Sequence, residues 1–337
     1  MDFRLRRNDE GELLGGSLTH MRSGILFGLL SGAIWGVVFM VPALLPQFPP
    51  MLLSVGRYLL YGVVSLLLAA PWLVGLVRTL RRGEGWLLAE LAVTGNLLYF
   101  MLLAAAVQLT GVAATSLIIG ATPVVITLLG RGAQDAPPMR RLALPLVLVL
   151  AGVACINVDT LLSAHAQTRP LSERIWGTLL ALGAMLSWAW YAARNARFLK
   201  SQDRFDSNQW ALLGGIVTGV LAGLCWLLIW WLWPSLIEPD SSVEPSPWLR
   251  FWLFNLFLAV ACSWIGNALW NAATRRLPLT LGGQMLVFET LFAMLYGFVW
   301  AQRWPTLWEF AALVLLVGGV TWVARRHAVP ARVVPAH

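Results

Sequence analysis

The chain has 337 residues, 58% of them hydrophobic and only 12% charged, with a mean hydropathy of +0.72. A soluble domain carries about a quarter charged residues, so this chain has too little polar surface to face water all round. The net charge of +8 raises nucleic-acid binding as a reading, but no motif for it accompanies the charge, and the cations follow a topological pattern instead.

Apolar runs of about 20 residues, the length that crosses the hydrocarbon core as helix, recur from end to end. They predict ten spans at 24–45, 51–71, 86–106, 109–130, 141–158, 175–194, 209–232, 249–272, 279–300 and 307–324. The fold class expected is all-α, an integral membrane protein of ten transmembrane helices. Residues 1–22 are polar and charged, and no small-residue cleavage pattern closes the apolar run after them. They are therefore expected to be retained as a tail, 1–23, with a second tail at 325–337.

Charge orients the ten spans. One side collects Arg4, Arg6, Arg7, Arg22, Arg78, Arg81, Arg82, Arg131, Arg140, Arg141, Arg194, Arg197, Lys200, Arg204, Arg275, Arg276, Arg325, Arg326 and Arg332, which is 19 of the 24 cations. The other side has Arg169, Arg174, Arg250 and Arg303. The positive-inside rule puts both termini in the cytoplasm. One lysine against 23 arginines is a coding bias that points to a bacterial plasma (inner) membrane.

Cys155, Cys225 and Cys262 lie in spans without a Cys-x-x-Cys pair, and His20, His165, His327 and His337 lie outside them. No disulfide framework, metal site or phosphate loop is expected, and no cofactor. Nineteen tryptophans invite a ligand reading, but Trp72, Trp86, Trp176, Trp248, Trp304 and Trp308 fall at span ends, where aromatic belts account for them. So does "WLLIWWLW" at the end of span 7.

The chain repeats itself. "GILFGLLSGAIWGVV" (24–38) aligns with "GTLLALGAMLSWAWY" (177–191) at an offset of 177 − 24 = 153, which superposes Trp35 on Trp188. "AVQLTGVAATSLIIGATPVVITLLG" (106–130) aligns with "ATRRLPLTLGGQMLVFETLFAMLYG" (273–297) at an offset of 167, and Thr122 then meets Glu289. Five spans per half is an odd number, so the second half enters from the opposite side. That is an inverted-topology repeat, a common plan for secondary transporters with a midplane site.

The "SGAIWGVVF" run of span 1, Arg57 in span 2, the "AVQLTGVAATSLIIGATPVV" run into span 4, and "FETLFAML" and "LVGGV" in spans 9 and 10 resemble the drug/metabolite transporter superfamily. The resemblance is to its two-EamA-domain branch and covers about residues 24–324. It implies two inverted five-helix halves, at 24–158 and 175–324, a central cavity and alternating access, with amino acids and other small metabolites as exported substrates. The family usually has proline after the span-9 glutamate; this chain has Thr290.

Glu289 is the candidate of first rank, because a charged residue inside a span costs about 2.5–3.5 kcal/mol at the bilayer centre on insertion scales. It shares a helical face with Gly282, Met285, Ala293 and Tyr296, so that face is expected to look inward. It reads as a substrate-amine or proton site, or as a hydrogen bond tying spans together. Arg57 shares a face with Ser54, Tyr61 and Ser65; it reads as a partner of Glu289, a binder of a substrate carboxylate, a side chain that snorkels to the outer interface, or a cap on carbonyls of a neighbouring helix. Ser263, Asn267, Trp270 and Asn271 form a polar stripe on span 8. Trp35 with Ser31, Asn96 with Tyr99, and Trp188 with Tyr191 and Asn195 are further lining candidates. Glu90 is expected at an interface. Pro123 reads as a gating hinge or as a site of close packing.

Together these expectations describe a secondary transporter, an exporter of small metabolites such as amino acids, with membrane lipid and protons as its other partners and no enzyme activity. The rivals are a non-transporting scaffold or assembly factor, which would tolerate Glu289→Gln, and a membrane-embedded lipid-modifying enzyme, which would need a polar catalytic cluster at an interface.

Overall fold

A computed structural model describes residues 21–129, 170–237, 247–277 and 285–327, with residues 144, 147, 148, 151, 152, 155 and 282 between them. Expected span 5, the distal part of both tails and Arg131, Arg140 and Arg141 lie outside or almost wholly outside the described residues. The described residues are helical, with no strand among them.

The helices are α1 (Met21–Leu44), α2 (Pro50–Ala69), α3 (Leu73–Thr79) and α4 (Glu84–Thr110), then α5 (Val112–Ile119) and α6 (Thr122–Leu129). They continue with α7 (Leu171–Lys200), α8 (Ser207–Leu232), α9 (Pro247–Arg276), α10 (Leu286–Ala301) and α11 (Leu307–His327). Among the described residues six of these, α1, α2, α4, α7, α8 and α9, are long and apolar enough to cross a membrane.

Local chemistry sets several boundaries. Gly111 takes φ +86°, a conformation that favours glycine, and separates α4 from α5 two residues beyond the join expected at 106–109. Asp206 caps α8: its carboxylate accepts from the Gln209 N–H at 2.7 Å while the Gln209 side chain accepts from the Asp206 N–H at 3.0 Å. α7 runs six residues past the end expected from hydropathy. Its last cations find carbonyls: Arg197 donates to Leu129 O at 2.7 Å and Lys200 to Leu277 O at 2.9 Å. Cations also suit the negative end of the helix dipole. α3 was not expected at all; Leu76 and Leu80, at i and i+4, dock this short helix on the core.

Small residues bring α2 and α8 together. A Cβ at Gly62 would stand 2.4 Å from Gly219 Cα, and a Cβ at Gly219 would stand 2.3 Å from Gly62 Cα. Gly215, one turn before Gly219, lies against Ser65. In lipid such close approach is a main source of helix association, because apolar burial gains nothing between helices already surrounded by hydrocarbon.

Two long helices change their winding midway. α4 is a π-helix over Val93–Leu97, and α9 is one over Leu258–Gly266. The 167-residue offset carries 93–97 onto 260–264, inside the second segment. π-segments are rare and concentrate at functional sites.

Candidate substrate site

Glu289 is on α10, which lies hard against α1. A Cβ at Gly32 would be 3.0 Å from Glu289 N, and a Cβ at Gly36 would be 2.8 Å from Ala293 N. These two glycines let α10 press its glutamate into the protein rather than toward lipid, and Glu289 is only 5% exposed. Its carboxylate lies close to the Tyr99 hydroxyl on α4 and within electrostatic reach of Arg57. The expected inward face holds: Met285, Ala293 and Glu289 are buried together. Thr290, where the family usually has proline, is buried too and donates to Ser116 O at 3.2 Å, tying α10 to α5.

Arg57 is 4% exposed, so it neither snorkels nor reaches an outer surface. Its Nε donates to Ser263 Oγ at 3.0 Å. The guanidinium carbon sits 4.5 Å from the centre of the Phe100 ring and 4.9 Å from that of Tyr58, so cation–π attraction replaces part of the lost hydration. Nη1 is buried without a hydrogen-bond partner. Ser54, Tyr61 and Ser65, on the same face, are buried with it.

Beside these charges stands an aromatic cluster built by both halves of the chain. Trp35 on α1 meets Trp188 on α7 edge-on, with ring centres 5.6 Å apart, and Trp270 on α9 lies 5.6 Å from Trp35 and 5.4 Å from Trp188. Tyr191 is 5.6 Å and Tyr99 is 6.2 Å from Trp188. Trp35 Nε1 donates to Cys262 O at 2.8 Å, and Ser31 Oγ to Gly266 O at 3.1 Å, so the π-segment of α9 fixes α1 through its carbonyls. The Trp270 N–H is buried with no partner.

Toward the arginine-rich ends, neutral groups take over. Asn195 is the junction: it donates to Asn271 Oδ1 at 2.9 Å and accepts from Trp210 Nε1 at 2.8 Å. Asn96 donates to Thr218 Oγ1 at 2.9 Å, and Tyr61 to Ala211 O at 2.6 Å. Asn195, Asn271, Trp210, Asn96 and Tyr61, with Tyr191 and Asn267, line a cavity of about 20 Å³, room for about one water. Asn267 itself donates to Ser263 O on its own helix, at 2.8 Å.

The predicted residues therefore fall into two groups. Glu289, Tyr99, Arg57, Trp35, Trp188, Tyr191 and Trp270 gather at the charged aromatic centre; Asn96 and Asn267 line the small polar cavity, which Tyr191 borders as well. Pro123 is apart from both. Gly120 and Ala121 break span 4, and Pro123 follows in the first turn of α6, where its missing N–H leaves no helical bond unmade. Glu90, half-buried, pairs with Arg194 at 2.9 Å and accepts from Trp190.

Sequence reasoning missed Trp210, Tyr58 and Phe100. Trp210 falls at the start of span 7, where it looks like a belt residue, yet it is 3% exposed and stacks on Phe198 at 4.2 Å. Trp248 corrects the belt reading in the same way. It is half-buried, 5.1 Å from both Phe48 and Phe251, at the far end of the bundle. Trp72, Trp86, Trp176 and Trp304 are exposed, as a belt requires.

Comparison with known proteins matches this arrangement to a family twice over. The model of the EamA-like transporter family matches residues 22–158 and again residues 175–325. The inner membrane protein YtfF of Escherichia coli (strain K12) is 37% identical over 317 residues, covering 90% of this chain and 96% of that protein. One solved crystal structure superposes with a TM-score of 0.63 at 20% identity, over 91% of this chain and 99% of the other, which speaks for the fold alone. With two family matches spanning most of its length and a relative aligned almost end to end, the chain belongs to the EamA-like transporter family, a member of the drug/metabolite transporter superfamily.

Proposed function

We propose that this protein is a secondary transporter that exports small metabolites such as amino acids across the bacterial inner membrane by alternating access. The ten helices form two inverted repeats, 24–158 and 175–324, with both termini in the cytoplasm. Two features support the inversion. Trp35 and Trp188, matched by the repeat, touch at 5.6 Å. The two π-segments occupy matched positions. The inner membrane location follows that of its relative, the E. coli inner membrane protein YtfF.

The observation that carries the reading is Glu289, a buried carboxylate against Tyr99 beside an aromatic cluster drawn from both halves. A carboxylate there holds either a substrate ammonium or the proton whose gradient drives transport. Pro123, just after the break in span 4, is the hinge on which the first half flexes. The test is counterflow of labelled amino acids in proteoliposomes under an imposed pH gradient, for wild type and Glu289→Gln. Wild type moves substrate on the gradient; the variant remains folded and loses gradient-driven transport. A variant that transports as wild type does would make Glu289 structural, and no counterflow by wild type would favour the scaffold reading.

A further inference from the structure

Another cavity, of about 690 Å³, lies away from the charged centre, where α10 turns into α11. Leu291, Met294, Leu295 and Phe298 line it from α10, and Phe310 and Leu313 from α11. Leu295, Val299 and Phe310 are more than half exposed, so it is a groove open on the flank of the bundle. Its length along α10, from Leu291 to Gln302, is 302 − 291 = 11 residues. At the helical rise of 1.5 Å that is about 16 Å, close to half of a hydrocarbon core about 30 Å thick. The groove therefore has the reach of one leaflet.

One end of it is polar and held in place. Gln302 takes φ +50°, alone among the described residues other than glycine, and ends α10. Beyond this turn the Arg303 guanidinium carbon sits 5.1 Å from the centre of the Phe298 ring. Arg303 donates from Nη1 and Nη2 to the two oxygens of Glu309, at 2.7 and 2.6 Å. Glu309 is itself fixed at the start of α11, where it accepts from the Thr306 N–H at 2.8 Å. The pair is polarised: the Glu309 side chain is 3% exposed and that of Arg303 is 41%. The anion lies inside and the cation outside, so the mouth presents positive charge on the arginine-poor side of the bundle. Trp304, 91% exposed, stands beside it as an interfacial aromatic.

We propose that this groove holds one acyl chain of an anionic phospholipid, with the lipid phosphate on Arg303. The charge decides the headgroup. An ammonium next to the phosphate would meet a guanidinium and no exposed carboxylate, because Glu309 is buried, so a headgroup with net negative charge fits better than a zwitterionic one. Inside the bilayer a chain gains nothing by leaving water, so close packing along α10 and the charge-assisted contact at Arg303 are what single out this lipid from its neighbours. Leu291 and Met294 belong to the helix that carries Glu289, and the lipid is a wedge between that helix and α11.

The experiment measures thermal stabilisation of the purified full-length protein in detergent by three probes: dioleoyl phosphatidylglycerol, dioleoyl phosphatidylcholine and glycerol 3-phosphate, which has the phosphate and no chain. Wild type is expected to respond to phosphatidylglycerol at about tenfold lower concentration than to phosphatidylcholine, the size of one charge-assisted contact, and not to glycerol 3-phosphate. Leu295→Trp fills the groove from its open side and should remove the response to phosphatidylglycerol; Val299→Trp is the second block if the first does not fold. Arg303→Gln combined with Glu309→Gln leaves no buried charge unpaired and should make the two lipids equal. Equal responses of wild type to the two lipids overturn the proposal without reference to any variant. So does a tryptophan variant that keeps the preference, and so does a response to glycerol 3-phosphate as strong as to the lipid. A wild-type dimer that Leu295→Trp dissociates, with no lipid preference, would give the groove to a second copy of the chain instead.

Discussion

The long helices α4 and α9 use the same backbone device for different ends. Both switch to π winding at matched positions, and both carry a glycine at or just past the start of an aromatic contact: a Cβ at Gly95 would stand 2.2 Å from the Tyr191 ring, and one at Gly266 would stand 2.4 Å from Trp35 Nε1. In α4 the segment serves neutral groups. Asn96 donates to Thr218, and Ser54 Oγ donates to Leu97 O at 2.8 Å. In α9 it serves the charged centre, holding Arg57 through Ser263 and Trp35 through Cys262 O. A duplicated scaffold has thus kept its geometry in both halves and placed its ionic chemistry in contact with only one of the two breaks. Thr122, the repeat counterpart of Glu289, says the same: it is buried, neutral and bonded to its own helix region at Ile119 O.

Five substitutions and two rescues probe that difference, in falling order of effect. Gly95→Val and Gly266→Val both force a side chain into an aromatic ring, and overpacking of this kind costs about 1–3 kcal/mol. Both should lower the melting temperature in detergent, and removing the ring should restore it: Tyr191→Ala for the first, Trp35→Ala for the second. The second rescue should lose more counterflow than the first. Equal transport by both rescued proteins would erase the functional asymmetry. Next, Ser263→Ala strips the buried guanidinium of its neutral partner, an expected loss of about 1–3 kcal/mol. The matched change Asn96→Ala in α4 removes an interhelical bond between neutral groups, worth about 0.6 kcal/mol. Chemical or thermal melts of the two variants should differ accordingly; similar losses would mean that Arg57 finds another partner. The smallest change is Thr290→Val, which removes the bond to Ser116 O and should cost about 0.6 kcal/mol with little effect on transport.

How much of this was legible beforehand depends on the kind of signal. Glu289 and Arg57 could be found because a charge inside an apolar run is expensive wherever the run folds. Trp35 and Trp188 could be found because the repeat aligned them. Trp210 and Trp248 could not, since a tryptophan near a span end reads as a belt residue until the neighbouring helices that cover it are known. The π-segments leave no compositional mark: "VTGNL" and "LAVACSWIG" read as ordinary apolar helix.

The sequence by itself determined the membrane class, the order of helices, the repeat and the residues too costly to bury without cause. Those follow from transfer free energies and periodicity, which are local properties of the chain. Tertiary structure decided which of those residues meet. The separation of Arg57 from Glu289, the closing of three indoles on one another and the chain of amides through Asn195 all depend on how closely α1, α2, α4, α7, α9 and α10 approach. Those distances are set by glycines and π-turns acting between helices, and no one segment of the chain encodes them alone.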